Sequence, residues 1–480
     1  MVLPEQSTTL VESRGDAAAR KSYQTRLSTT AIYRGVAALI WALAVWHCWV
    51  ARGLFVDGSA LLVTMMKNGG YALFFDSRRY VMAVTQAPAA TAIELGVTDT
   101  QVLARLLSAG LFFVPTAFYH AALYRARRDP ALLAAVTCAI AIVFLPTSFF
   151  IVGESNTVGA AVLFACVLLA TGTRLTLGDG VLLAATAVLL VRSYETTCFY
   201  GLLLAALTTW RVAVTGLRGV ASLLYGLAVM LFLASAVVAI QSLLHPPSPS
   251  QLQDAVQDVV EFWHNLQFLL PLSAMIIVTI AALAAPRLLE SRRLYLWAGV
   301  LLIMMAASPL LSSPDGFILL NAKTHYRSRM VAAMMTAAIV LAIWLYALRP
   351  AWMPAALAVL AKPAIARRFL AFQLAALLGA LPADILLTDL WRRSIIEFQS
   401  TIGARSGLIP VKETPFDREP LLFLIQDWAL PSQSLVLRHT SGDGIIVPPQ
   451  GSTKWQPFDP TSQLPTNIQR FSWGKQDRTQ

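Results

Sequence analysis

The feature that most constrains this chain is a run of apolar stretches, each long enough to cross a bilayer, separated by short loops rich in arginine. A membrane-spanning helix needs about 20 mostly apolar residues. Only helices or closed barrels satisfy their own backbone polar groups inside lipid. Long apolar runs of this length read as membrane-spanning helices. By the length criterion the chain holds about eleven spans. They cover roughly 35–50, 102–124, 131–152, 157–171, 180–191, 196–210, 220–244, 266–284, 294–311, 330–348 and 369–390.

Composition agrees. Hydrophobic residues make up 57% of the chain and charged residues 13%. The net charge of +11 raises the question of nucleic acid. The cations, however, sit between the apolar runs, where the positive-inside effect accounts for them, and no nucleic-acid partner is expected. Arg14, Arg20, Lys21, Arg26 and Arg34 precede the first run and place residues 1–34 in the cytoplasm as a tail. Alternation then puts the loops carrying Arg125, Arg127 and Arg128, Arg174, Arg211 and Arg218, Arg287, Arg292 and Arg293, and Arg349 to Arg368 on that same side. The first apolar run is expected to be a retained anchor. Cys48, Cys138, Cys166 and Cys198 lie in apolar stretches without metal-ligand spacing and read as packing residues.

The expected architecture is an all-α polytopic membrane domain over 35–390. An outer loop of interfacial helices spans 51–101, and a small extracytoplasmic domain, α/β or β-rich, spans 391–480. Strand-like pieces occur at 421–425 and 434–437. The stretch 350–360 is placed at the inner interface.

Charged groups at membrane depth are expensive and usually have a task. Here they gather at outer span ends. Asp57 follows the first span, and Glu154 lies in the turn Gly153-Glu154-Ser155-Asn156. Such carboxylates can take a proton from an acceptor hydroxyl, can hold a divalent cation such as Mg or Mn, or can simply cap helices. A second group, Lys323, His325, Tyr326, Arg327 and Arg329, stands in an outer loop before a span. Three cations, an imidazole and a phenol suit a phosphate, or alternatively an anionic lipid surface. Arg78, Arg79, Arg192 and Glu195 are further substrate-binding candidates, with an internally paired Arg–Glu group as the alternative. His47 is assigned to packing, and Asp384 and Asp389 to the interface.

This order of features resembles the GT-C superfamily of polytopic glycosyltransferases. The likeness is greatest to members that take sugar from a polyprenyl-phosphate donor, such as lipid A aminoarabinose transferase and protein O-mannosyltransferases. An anchor span is followed by Asp57 at the family's acidic position. Met65-Met66-Lys67-Asn68-Gly69-Gly70-Tyr71 is similar to the next helix and its glycine break. Glu154 is similar to the second acidic position, and Lys323, Tyr326, Arg327 and Arg329 match the late basic loop. Asp57-Gly58 replaces the acidic pair of many members, which leaves the metal open.

The resemblance implies a multi-pass bacterial inner-membrane enzyme with a cytoplasmic N-terminus and a periplasmic C-terminal domain. It would move sugar to a lipid, glycan or protein acceptor. The alternatives are a polymerase or ligase using a lipid-diphosphate glycan, a transporter or flippase of lipid-linked sugar, and a structural membrane subunit.

Overall fold

The computed structural model describes residues 9–147, 153–171, 175–216, 219–245, 324–348, 362–417, 427–448 and 466–474, with a few single positions between 273 and 303. Within them the chain is mostly helical. Helix α1 (Thr9–Trp49) leads, so much of the expected N-terminal tail is helical. Then come α2 (Asp57–Asn68), α3 (Arg79–Glu94), α4 (Thr100–Ala126) and α5 (Pro130–Thr147), the last interrupted by a π segment at Ile140–Phe144. Helices α6 (Glu154–Thr171), α7 (Leu177–Val191), α8 (Thr197–Thr215) and α9 (Val220–Leu244) follow. The later elements are α10 (Thr324–Leu348), α11 (Pro363–Gly403), β1 (Leu408–Pro410), α12 (Leu430–Leu437), β2 (Ile445–Val447) and α13 (Thr466–Gln469).

Seven of the described helices are long and apolar enough to cross a membrane. They are Thr29–Trp49, α4, α5, α6, α8, α9 and Ile365–Gly403. Helix α7 and the stretch Ala332–Leu348 of α10 are apolar but shorter. The expected spans at 266–284 and 294–311, and the stretch 350–360, fall almost wholly outside the described residues.

Sequence sets several boundaries directly. Asp99 caps α4 by accepting from the backbone N–H groups of Gln101 and Val102, and Asp129 caps α5 in the same way, with Pro130 at the first helical position. Gly69, at φ 74°, ends α2 in the left-handed conformation that glycine adopts without penalty.

Two hydrophobic cores form. The first joins α1, α4, α5, α6, α7, α8, α9, α10 and the first half of α11 into a bundle. The second joins the end of α1, the turn after it, α2, α3, the first half of α4, the second half of α11 and the described C-terminal residues. This second unit is a cap on one end of the bundle. Helix α11, with 41 residues, is about 60 Å long, twice the hydrocarbon thickness. It runs through both cores. Leu370, Ala376 and Leu377 belong to the bundle, whereas Leu387, Trp391, Ile395, Phe398 and Ile402 belong to the cap, at helical spacing.

The C-terminal residues are therefore packed into the cap. β1 and β2 form a short parallel pair, with Ile409 opposite Ile446, both buried. The expected strand at 434–437 is corrected to the end of helix α12, which is buried on all sides against α2, α4, α11 and β2. The helix wins because Leu430, Leu435, Val436 and Leu437 all find apolar neighbours around its circumference. The piece at 421–425 lies outside the described residues. At the start of α4, Thr100 N–H donates to Ser472 and Gly474 N–H donates to the Asp99 carboxylate, which ties the last described segment to the cap.

Candidate active site

The site is built on the turn between α1 and α2. Ala51 and Val56 have φ of 51° and 47°, the two positive values at non-glycine positions among the described residues. For β-branched Val56 this is a strained backbone, of the kind held only where surroundings impose it. Three constraints impose it here. A Cβ on Gly58 would lie 1.6 Å from the Gly53 carbonyl oxygen, so the two ends of the turn touch backbone to backbone. Gly53 N–H donates to Ser108 of α4 at 2.9 Å. Arg52, fully buried, holds the turn to α11.

That last anchor was missed in the sequence. Arg52 Nη1 donates to Asp384 Oδ1 at 2.8 Å and to Thr388 Oγ1 at 2.8 Å. His47 Nε2 lies 2.8 Å from Asp384 Oδ2. The carboxylate only accepts, so we assign the proton to His47 Nε2. The 2.6 Å approach of Arg52 Nη1 to the same nitrogen is then a crowding of two donors around one carboxylate. Phe112 packs beside both His47 and Arg52. The assignments of His47 to packing and Asp384 to the interface are thus corrected: both are buried partners of Arg52 at the junction of the two cores. One signal was available. Arg52 is a cation placed just past the first span, on the side where the inside rule expects few.

The turn delivers Asp57 as the first residue of α2, half-buried. Leu62, Met65 and Met66 of α2 are fully buried, which fixes the helix between the bundle and the C-terminal residues. Burial of such side chains is worth about 1.5–3 kcal/mol each. The loop after α2 is closed by buried Gln86, whose amide exchanges two hydrogen bonds with the Ala72 backbone.

Glu154 opens α6, also half-buried. Helices α2 and α6 both pack against α3 and α4, so the two carboxylates stand at the heads of helices with shared neighbours. Among the described residues, no three His, Cys, Asp or Glu side chains gather as a metal-ligand set.

Arg78, Arg79, Arg192 and Glu195 are brought together, by partners the sequence did not indicate. Glu195 pairs with Arg78 in a two-pronged bridge of 3.0 and 3.1 Å rather than with Arg192. Ser77 adds a bond to the same carboxylate, and the Arg78 guanidinium stacks on Phe75 and Tyr194. Arg79 and Arg192 both approach Asp76, at 3.6 and 3.7 Å. The residues before α3 are thereby latched to the turn between α7 and α8.

Of the basic group, Lys323 and the side chains of His325, Tyr326, Arg327 and Arg329 lie outside the described residues. The backbone there shows one correction. Residues from Thr324 onward belong to α10, so the group heads a helix instead of lying in a loop.

Fold and site together describe a mostly helical protein, seven of whose described helices are long and apolar enough to cross a membrane, with a cap folded over one end of the bundle. No protein-family model, curated protein or solved structure matches the chain.

Proposed function

We propose that this protein is a membrane glycosyltransferase that moves a sugar from a polyprenyl-phosphate donor to a hydroxyl of a lipid, glycan or protein acceptor. The observation that carries the reading is the strained, triply anchored turn that presents Asp57 at the edge of the cap. A carboxylate that serves as a general base must be held in place, and strain concentrates where position matters.

In this mechanism the Asp57 carboxylate removes the proton from the acceptor hydroxyl. The acceptor oxygen forms its bond to the anomeric carbon as the bond from that carbon to the phosphate oxygen breaks. The lipid phosphate departs with the electron pair, and the configuration at the sugar inverts. Glu154 orients the acceptor. Lys323, His325, Tyr326, Arg327 and Arg329 hold the phosphate and offset its growing charge. The Arg78–Glu195 latch, with Arg79 and Arg192 beside it, keeps the first cap loop over the bundle end. The reaction takes place on the extracytoplasmic face of a bacterial inner membrane.

The test is transfer from labelled polyprenyl-phosphate sugars by purified protein. Asp57→Asn is expected to lose about 10²–10⁴ of the rate while keeping its melting temperature and donor affinity. Undiminished transfer in a folded, donor-binding Asp57→Asn protein would sink the assignment.

A further inference from the structure

At the end of the bundle away from the cap, four helix ends bring together a charged group that the mechanism does not use. Helix α4 starts in the cap core and finishes here, with Arg125 in its last turn. Asp179 stands in the first turn of α7, Arg211 near the end of α8 and Tyr225 near the start of α9. Arg125 and Asp179 form an ion pair. The Asp179 backbone N–H donates to Thr176 Oγ1 at 3.1 Å, and the Tyr225 hydroxyl donates to the Thr176 carbonyl at 3.2 Å. Gly180 lets α9 close against α7, since a Cβ there would lie 3.2 Å from Tyr225. Arg125, Arg211 and Asp179 all stand within electrostatic reach of the Tyr225 phenol.

The charges around that ring do not balance. Two guanidinium groups face one carboxylate, and Arg125 takes it. Asp129, at the same end, is already engaged. One of its oxygens accepts from the Ala131 and Leu132 backbone N–H groups, and the other accepts from the Tyr346 hydroxyl at 3.0 Å. The half-buried Arg211 side chain makes no hydrogen bond or ion pair among the described residues, and its Nε is sealed from solvent without an acceptor. Leaving a donor of an ionised group unmade in that way is costly. An anion with several acceptor oxygens relieves it. The planar fork of a guanidinium matches the oxygens of a phosphate, and the α7 N-terminus presents the positive end of its dipole on the same side.

The flanking surface selects the carrier of that phosphate. Leu177 and Val181 of α7, Val214 of α8, and Leu223 and Leu227 of α9 are all exposed. Acyl chains cover such a surface, and a free phosphate does not. Basic pockets between helices, on the side where arginines gather, suit the head groups of anionic lipids.

We infer that Arg211, with Arg125 beside it, binds the phosphate of an anionic phospholipid at the end of the bundle away from the cap. The lipid as its source rests on these helices crossing a bilayer. The site lies at the opposite end of the bundle from Asp57 and is independent of the transfer reaction.

The test uses the full chain purified in detergent, read by native mass spectrometry and melting temperature. Dioleoyl phosphatidylglycerol, dioleoyl phosphatidylcholine and inorganic phosphate are the probes. The wild type should retain phosphatidylglycerol over phosphatidylcholine and melt at a higher temperature with it. Arg211→Gln breaks no internal bond, so without lipid it should melt as the wild type does. It should hold phosphatidylglycerol about tenfold more weakly. Arg128→Gln removes an exposed cation at the same end and should bind as the wild type does. Excess inorganic phosphate should leave the bound lipid in place. Displacement of the lipid by phosphate, with phosphate binding lost in Arg211→Gln, would keep the anion site and remove the lipid as its source. Equal retention of both lipids by the wild type, or equal weakening in Arg211→Gln and Arg128→Gln, would show only a diffuse surface charge and overturn the inference.

Discussion

The bundle and the cap bury similar residue types but assemble them differently. In the bundle each helix contributes a long apolar stretch, and neighbours in space are mostly near neighbours in sequence, as with α7, α8 and α9. In the cap the contributing pieces come from residues 44–112 and again from 387–473. The ion pairs differ in the same way. Arg125 and Asp179, which join α4 to α7 near the arginine-rich ends, are a third exposed on the arginine side. Arg52 and Asp384, which join the turn to α11, are sealed from solvent. The bundle is held by apolar contact repeated along helices. The cap depends on a few buried polar anchors, each of which fixes a segment to a distant one.

Breaking the deepest anchor should show the largest difference. Asp384→Ala leaves Arg52 buried without its carboxylate, and is expected to cost about 3–5 kcal/mol, seen as early loss of cap protection in hydrogen exchange. Arg125→Ala at the bundle end should cost only about 1 kcal/mol. Equal effects from the two would remove the contrast.

The next effect belongs to Gly58. Its replacement by alanine pushes a methyl into the Gly53 carbonyl and should cost about 1–3 kcal/mol in unfolding experiments. The transfer rate should drop more than stability alone explains, because Asp57 is displaced. A Gly58→Ala protein with unchanged melting and rate would show that the turn does not position the carboxylate.

The smallest effect concerns acid. Burial pushes the Asp443 carboxyl up, but the Thr440 hydroxyl and the His439 and Thr440 backbone N–H groups outweigh it and hold it below the ordinary carboxylate range. A carboxylate with a depressed value contributes stability above its unfolded-state value and loses it as pH falls through the folded one. Cap stability should therefore decline as pH drops below about 4. Asp443→Asn should flatten that decline slightly, as read by melting temperature against pH, while the bundle shows no change.

Much of the bundle was legible because a span is a local property. The run at 220–244 became α9 with the same ends, and the Gly69 break fell where α2 stops. Asp57 could be singled out for the same reason, as a carboxylate just beyond an apolar run. Its anchoring could not. Asp384 lies 332 residues from Arg52, and nothing near either residue names the other. Glu195 was legible as a charge at a span end, yet its partner Arg78 lies 117 residues away. Helix α12 was misread because eight residues carry too little periodicity to separate helix from strand when every face is buried.

The sequence by itself determined that this chain folds as apolar helices, where most of them begin and end, and which carboxylates stand at their heads. Those outcomes follow from hydropathy, caps and glycine breaks, which act over a few residues. Only the tertiary structure decided that the C-terminal residues close over α2, that Arg52, His47 and Asp384 share one buried site, and that Arg78 pairs with Glu195. Such outcomes depend on which distant segments satisfy each other's buried polar groups, and that choice is made when the helices pack.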